Sequence, residues 1–384
     1  MSEKKMGMKQ RVIRLTAAIM TLMLICGAAM AEDNELSVTE TVEETVTAPA
    51  SATEETAAAP VLEETAAVPV AEAPVASVTP DGYQLDAEGF LTGENPGPAY
   101  ILEDEEKGLW QYASKTLAVT IRRTREKVKK KTREYCVADI RTREANPVGA
   151  IMTEPYARFG GTPTAGKRQD TPETLMNAHP SVLAMSDDMY GLRIIEVSKK
   201  KTKYDFHGVV IRDGEVMATK TRKSPEEGKK DKRPWPNLDT MAVYRDGSMK
   251  TYVSDALTAE EYLEQGALHV FAFGPWLISD GEINPAVLNP KYYPSNEPRL
   301  ALGMVEPRHY IAIAVAGRPN NQYAGVHLDW LAEKMKEYGC TEALNLDGGA
   351  TVVMAFMNKA ILRGDMSSKK GRNVGSLIAW GLDE

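Results

Sequence analysis

Asn345-Leu346-Asp347-Gly348-Gly349-Ala350-Thr351 separates two apolar runs, Ala343-Leu344 before it and Val352-Val353-Met354-Ala355-Phe356 after it. A helical pattern from His327 to Tyr338 and a stop at Gly339 come first. Two glycines after a carboxylate weaken a strand and bare its backbone N–H groups. Such a turn sets a carboxylate, an amide and open donors close together, which suits a ligand. An ordinary Asp-Gly β-turn is the alternative reading. Either way, the segment is a turn between two buried strands that follow a helix.

Read outward from this turn, strands outnumber helices. Tyr112 to Thr124 and Glu134 to Thr142 alternate apolar and polar residues, with the basic stretch Arg125 to Lys131 between them. That pattern predicts a β-hairpin with a basic tip, a solvated edge or an anion-attracting arm. Asp213-Gly214, Asp246-Gly247 and Asp280-Gly281 mark further hairpin turns. Pro172 to Asn177 reads as a short helix, and Thr258 to Gln265 as a helix with Thr258 and Glu261 in capping-box positions. Val326 to Tyr338 is amphipathic, with Leu328, Leu331 and Met335 on one face. Lys220 to Arg233 reads as a charged, exposed loop. The expected fold class is α+β: mixed or largely antiparallel sheets with a few packing helices.

The N-terminal eighty residues are of another kind. Residues 1–31 combine Lys4, Lys5, Lys9, Arg11 and Arg14 with an apolar stretch and a small-x-small end, Ala29-Met30-Ala31. They read as an export signal cleaved after Ala31, or as a retained anchor attaching the chain to a membrane through residues 12–31. Residues 32–80 hold eleven acids and no Lys or Arg, in repeats such as EETAAAP and EETAAVPV. That composition cannot form a core and is expected to be an extended, self-repelling linker. The remaining residues, 81–384, form the expected globular domain and are nearly neutral, because the net charge of −8 belongs to the linker. An exported, near-neutral domain without interleaved basic and aromatic residues argues against nucleic acid as a partner. Cys136 and Cys340 are too few for a disulfide framework, and the five histidines lack metal-ligand spacing. The sequence names no metal ligands and leaves metal dependence and the cofactor unknown.

Six stretches then agree in order with one family: FGPWLISDGEI (273–283), PRLALG (298–303), the apolar strand ending VAGR (315–318), the helix ending Gly339-Cys340, NLDGGAT (345–351) and GRNVGSLIAW (371–380). Over roughly residues 115–382 the chain resembles the phosphodiester glycosidase domain family. The resemblance implies a phosphodiester-glycosidase-like domain that hydrolyses the bond between a sugar anomeric carbon and a phosphodiester oxygen. A sugar-phosphate or anionic glycan of the cell envelope is then the substrate. Arginines at strand ends can fork a phosphate, which suits Arg299 and Arg318. Asp347 supplies the carboxylate for the anomeric centre or the attacking water, with Asp188 as the second carboxylate. Asn345, Gly348, Gly349, Thr351 and Gly274 complete the substrate-binding set.

Three departures accompany the resemblance. Ser186-Asp187 stands where relatives are expected to carry Asn-Gly, Ala316 where an Asp precedes Gly317-Arg318, and Ala350 where a third glycine follows. They define the alternative function, a catalytically impaired domain of the same fold that binds anionic envelope glycans.

Overall fold

The computed structural model describes residues 76–144, 147–152, 170–187, 194–198, 201–204, 207–226, 229–233, 235–317, 322–367 and 371–381. All of these lie within one unit, Ala67–Glu384. The first described strand, Ser77–Val78, pairs with Gln84–Leu85 just ahead of the expected domain boundary.

Three sheets carry the fold. The longest has nine strands in the order Glu282–Ile283, Trp276–Ser279, Glu342–Asn345, Arg299–Glu306, His309–Val315, Lys131–Thr142, Leu117–Val128, Leu109–Ala113 and Tyr100–Asp104. A middle sheet runs Glu215–Lys220, Gly208–Arg212, Ala267–Phe273, Asp239–Tyr244, Met249–Tyr252. A C-terminal sheet runs Lys359–Arg363, Val353–Phe356, Leu183–Ser186, Ser376–Trp380, Gly149–Met152. Every pairing between these strands is antiparallel, so the α+β expectation resolves to its antiparallel form.

Burial on both faces explains the apolar runs. In the strand His309–Val315, Tyr310, Ala312 and Ala314 face a core shared by all three sheets. Ile311, Ile313 and Val315 face a second core. Strands buried on two faces lose the apolar/polar alternation of a half-exposed strand. The helix Leu328–Glu337 covers the second core through Leu328, Leu331, Ala332 and Met335. Buried Glu342 ties the middle sheet to the long one. It accepts from Thr251 N (2.8 Å), Thr251 Oγ1 (2.6 Å), Lys250 Nζ (2.9 Å) and Asp280 N (3.0 Å).

The local expectations meet mixed outcomes. The Thr258–Glu261 capping box forms as expected, on the helix Ala259–Glu264. The helix Pro172–Ala178 starts behind Thr171 as N-cap. Cys136 and Cys340 are buried free thiols, and burial pushes Cys136 up to about 12. The basic hairpin forms, but Tyr112 to Thr124 is two strands. Ser114 breaks it, its Oγ accepting from Thr116 N (3.2 Å) and Leu117 N (3.1 Å). The end of the 220–233 segment is not a free surface loop. Arg233 donates to Asp231 and to buried Asp239, each at 2.8 Å. Among the described residues no helix is long and apolar enough to cross a membrane.

Leu331 anchors the helix to the sheet with no exposed surface. Leu331→Ala is expected to cost about 2–5 kcal/mol of unfolding free energy. Glu333→Ala, on the exposed side of the same helix, is expected to stay within about 0.5 kcal/mol. Urea denaturation of both variants beside the parent chain makes the comparison.

Candidate active site

Several strand ends meet around the NLDGG turn. Asn345 ends the strand Glu342–Asn345 with its side chain fully buried. Its Nδ2 donates to Gly274 O (2.9 Å), Gly274 N donates back to Asn345 O (3.1 Å), and Asn345 N donates to Pro275 O (3.2 Å). The FGPW and NLDGG motifs are therefore laced together. Gly274 cannot be another residue, since its φ is 82° and a Cβ would lie 2.3 Å from Asn237 Oδ1. Asn345 Oδ1 is buried with no hydrogen-bond partner. Its amide orientation is fixed by chemistry, because Gly274 O can only accept.

The ladder carries the turn onto Arg299. Ala301 pairs with Asn345 and Leu346 N donates to Leu300 O (2.8 Å), which brings the turn alongside the start of the Arg299–Glu306 strand. Gly349 N donates to Pro298 O (3.0 Å). A Cβ on Gly348 would stand 2.7 Å from the same oxygen, so the close approach needs glycine there. Gly349–Thr351 then forms a short 3-10 turn, with buried Thr351 accepting from Arg372 Nη1 (3.4 Å).

Arg299 is the electrostatic anomaly of this cluster. It is 4% exposed, yet it makes no ion pair among the described residues. Nη2 donates to Ser295 O (3.1 Å), the guanidinium lies 5.4 Å over the Trp235 ring, and Nε has no partner. Burial pulls its pKa down to about 10, against a smaller upward pull from Glu297. A buried cation without a counter-charge is costly, and an anion supplying hydrogen bonds removes that cost.

Asp187 approaches the turn from the C-terminal sheet. Its backbone O accepts from Asp347 N (3.1 Å). Its carboxylate pairs with Arg212 (3.1 Å, both buried) and accepts from Ser376 Oγ. Arg212 also donates to Val270 O (2.8 Å) and stacks on Phe271 (4.1 Å). Beside it, His269 accepts from Asp213 N at Nδ1 (3.3 Å), which leaves Nε2 to donate to Val148 O (3.0 Å). Burial, reinforced by Arg212, pushes His269 down to about 3.

Of the nine residues proposed for the site from sequence, seven are described. Arg299, Asn345, Asp347, Gly348, Gly349, Thr351 and Gly274 come together. Asp188 and Arg318 lie outside the described residues. The strand that leads to Arg318 is in place, with Ala316 N donating to Glu134 O (2.9 Å) and Gly317 N to Gly364 O (3.1 Å). Sequence reasoning missed Arg212, Arg233, Asp239, Trp235 and Gly364. The first four lay in hairpin-end or loop-like stretches. The Leu362-Arg363-Gly364 corner offered only a lone glycine as a signal. Surface cavities of about 270 and 350 Å³ open elsewhere, beside Arg141, Arg143 and Arg308 and beside Thr219 and Asp255 respectively.

Residues 193–380 match the phosphodiester glycosidase family model. The resemblance read from the six motif stretches, all of which fall inside that segment, is thereby shown there. The SPbeta prophage-derived uncharacterized protein YomE of Bacillus subtilis (strain 168) is 28% identical over 155 residues. That alignment takes in 39% of this chain and 23% of the relative, so the chain spans under a quarter of that protein's length. Two solved structures are similar at lower identity. One is the zebrafish N-acetylglucosamine-1-phosphodiester alpha-N-acetylglucosaminidase catalytic domain auto-inhibited by its pro-peptide. It shares 14% identity, with TM-score 0.48, over 74% of this chain and 88% of that one. The other is a hypothetical protein from Synechocystis, with 11% identity and TM-score 0.45, over 75% and 64%.

Two consequences can be measured. Arg212→Met strands the Asp187 carboxylate in the interior and is expected to cost about 3–5 kcal/mol. For His269 the sign follows from its depressed folded value. As pH falls from about 6.5 toward 3, the unfolded chain gains a proton that the folded chain refuses. Its contribution is therefore intact above about 6.5 and declines below it. His269→Gln is expected to show a shallower loss of stability between pH 6.5 and 4 than the parent, in denaturation midpoints taken across that range.

Proposed function

We propose that this chain is an exported hydrolase that cleaves the sugar–phosphate bond of a glycosyl phosphodiester in cell-envelope glycan or glycolipid. The observation that carries the reading is Arg299, buried with no ion pair among the described residues, at the start of the strand that pairs with the one leading into the NLDGG turn. Water attacks the anomeric carbon, and the bond from that carbon to the phosphate oxygen breaks. The bonding pair leaves with the phosphate, giving a phosphomonoester and a free sugar. Arg299 and the amides of the glycine turn hold the phosphate as its charge grows. Asp347 supports the anomeric centre or takes the proton of the water. Export rests on residues 1–31, and the acidic linker holds the domain away from the membrane or across the wall.

A second reading keeps the same pocket without turnover. Ala316 offers no carboxylate, and the Asp187 carboxylate is engaged by Arg212 and Ser376. On that reading the domain binds anionic glycan and does not cut it.

The deciding experiment is sugar release from a sugar-1-phosphodiester, such as a nucleotide-sugar, by the full chain beside Asp347→Asn. Loss of about 10²–10⁴-fold in turnover with an unchanged melting temperature is expected. An unfolded variant would make Asp347 structural. Saturable binding without release by the parent chain would favour the binding domain. Arg299→Lys keeps the charge but not the planar fork, and is expected to weaken inorganic phosphate binding about tenfold. Unchanged affinity would remove Arg299 from the phosphate site.

A further inference from the structure

Residues 229–233 and 235–239 add a wall beside Arg299 that the motifs do not supply. Its charges are turned on themselves. Arg233 donates to Asp231 and Asp239, and Asn237 Nδ2 donates to Asp239 Oδ2 (2.9 Å). Asp239 also accepts from Trp276 N (3.3 Å), which fixes the segment to the FGPW turn. Held by this network, Trp235 stands over Arg299 and packs edge-on against Phe273 (5.2 Å) and Tyr293 (4.2 Å). Tyr292 continues the cluster 4.4 Å from Tyr293. Both phenols are tethered, Tyr293 Oη donating to Arg233 O (3.5 Å) and Tyr292 Oη to Asp231 Oδ2 (3.4 Å). Trp235, Tyr292 and Tyr293 are nevertheless only half-buried.

We propose that Trp235, Tyr292 and Tyr293 form the wall that packs against the sugar ring, with Arg299 at its foot holding the phosphate. The inference rests on the glycosyl phosphodiester reading and assigns its sugar half. A pyranose offers an apolar C–H face and a rim of hydroxyl donors. Rigid aromatic rings suit the face, because little side-chain freedom is lost when they are covered. The rim needs acceptors, and two buried ones lack donors: Asn237 Oδ1 and Asn345 Oδ1, both set against Gly274. Arg299 Nε is the matching unpaired donor for the anion. Two open acceptors, one open cationic donor and a pre-set aromatic cluster fit a sugar 1-phosphate better than either a bare phosphate or an apolar ligand.

The test is calorimetric binding by the full chain of inorganic phosphate and of a panel of hexose and N-acetylhexosamine 1-phosphates. The parent is expected to bind at least one sugar phosphate ten times or more tighter than phosphate. Trp235→Ala is expected to erase that margin and leave the phosphate Kd within twofold, whereas Trp235→Phe keeps most of it. If Trp235→Ala does not fold, Tyr292→Leu and Tyr293→Leu are read for the same margin. An undiminished margin in the folded variants would reduce the rings to a cap on the core. Equal weakening of phosphate and sugar phosphate would make Trp235 a prop for Arg299. A parent with no preference for any sugar phosphate would remove the wall while sparing the phosphate site. A parent that binds none of these, phosphate included, would overturn the phosphodiester reading itself.

Discussion

The register between Arg299–Glu306 and Glu342–Asn345 is the constraint on which the site depends. Ala301 faces Asn345, and the hydrogen bond from Leu346 N to Leu300 O carries that alignment one residue beyond the strand. A slip by one residue would exchange the two faces of the ladder. Leu300 and Leu302 would leave the core shared by the three sheets, and Ala301 would enter it. The same slip would take Asp347 away from Arg299 and Gly348 away from Pro298. Core packing and pocket geometry are thus fixed by one alignment. Both faces of the ladder are buried, so no register with a solvent-facing side competes with it.

Three arginines around this alignment differ in how their burial is compensated. Arg212 is paired with Asp187, and Arg233 with Asp231 and Asp239. In both cases charge-assisted hydrogen bonds join segments that lie apart in the chain. Arg299 is as deeply placed but makes no ion pair among the described residues; a carbonyl oxygen and an indole face touch its guanidinium, and Glu297 attracts it more weakly than burial penalises it. Its burial contributes nothing to holding the fold that a neutral side chain would not do at lower cost. A charge kept in that position makes sense when its counter-ion arrives from outside.

The turns and the cores were readable because their signals are local. Glycines after Asp347, Asp-Gly pairs between alternating runs, and Thr258 three residues ahead of Glu261 act within a few residues of themselves. Asn345 and Arg299 were readable because each ends an apolar run. Arg212 was not. In sequence it is one residue before an Asp-Gly turn, and its burial is decided by the neighbouring strand Ala267–Phe273, more than fifty residues away. The segment ending at Arg233 misled for the opposite reason. Its composition is that of a surface, but Arg233 pairs with two carboxylates at short range and so can be folded inward. Of the adjacent carboxylates Asp187 and Asp188, sequence favoured the second for chemistry. Asp188 lies outside the described residues, and Asp187 meets the NLDGG turn through its backbone.

That placement bears on how many acids the proposed reaction can use. The Asp187 side chain accepts from Arg212 and Ser376, so it is engaged in a structural pair. Ala316 removes another carboxylate from the strand end. An ordinary glycosidase, expelling an alcohol, needs a protonated acid beside the departing oxygen. A phosphate oxygen is a far weaker base and departs without one, provided its developing charge is met by fixed donors and cations. On the proposed reading Arg299, desolvated and without an ion pair among the described residues, would meet that requirement, with Asp347 assigned to the anomeric side. On the proposed reading, cleavage at phosphate is the chemistry that tolerates a short supply of acids, and the altered motifs then bear on the substrate class.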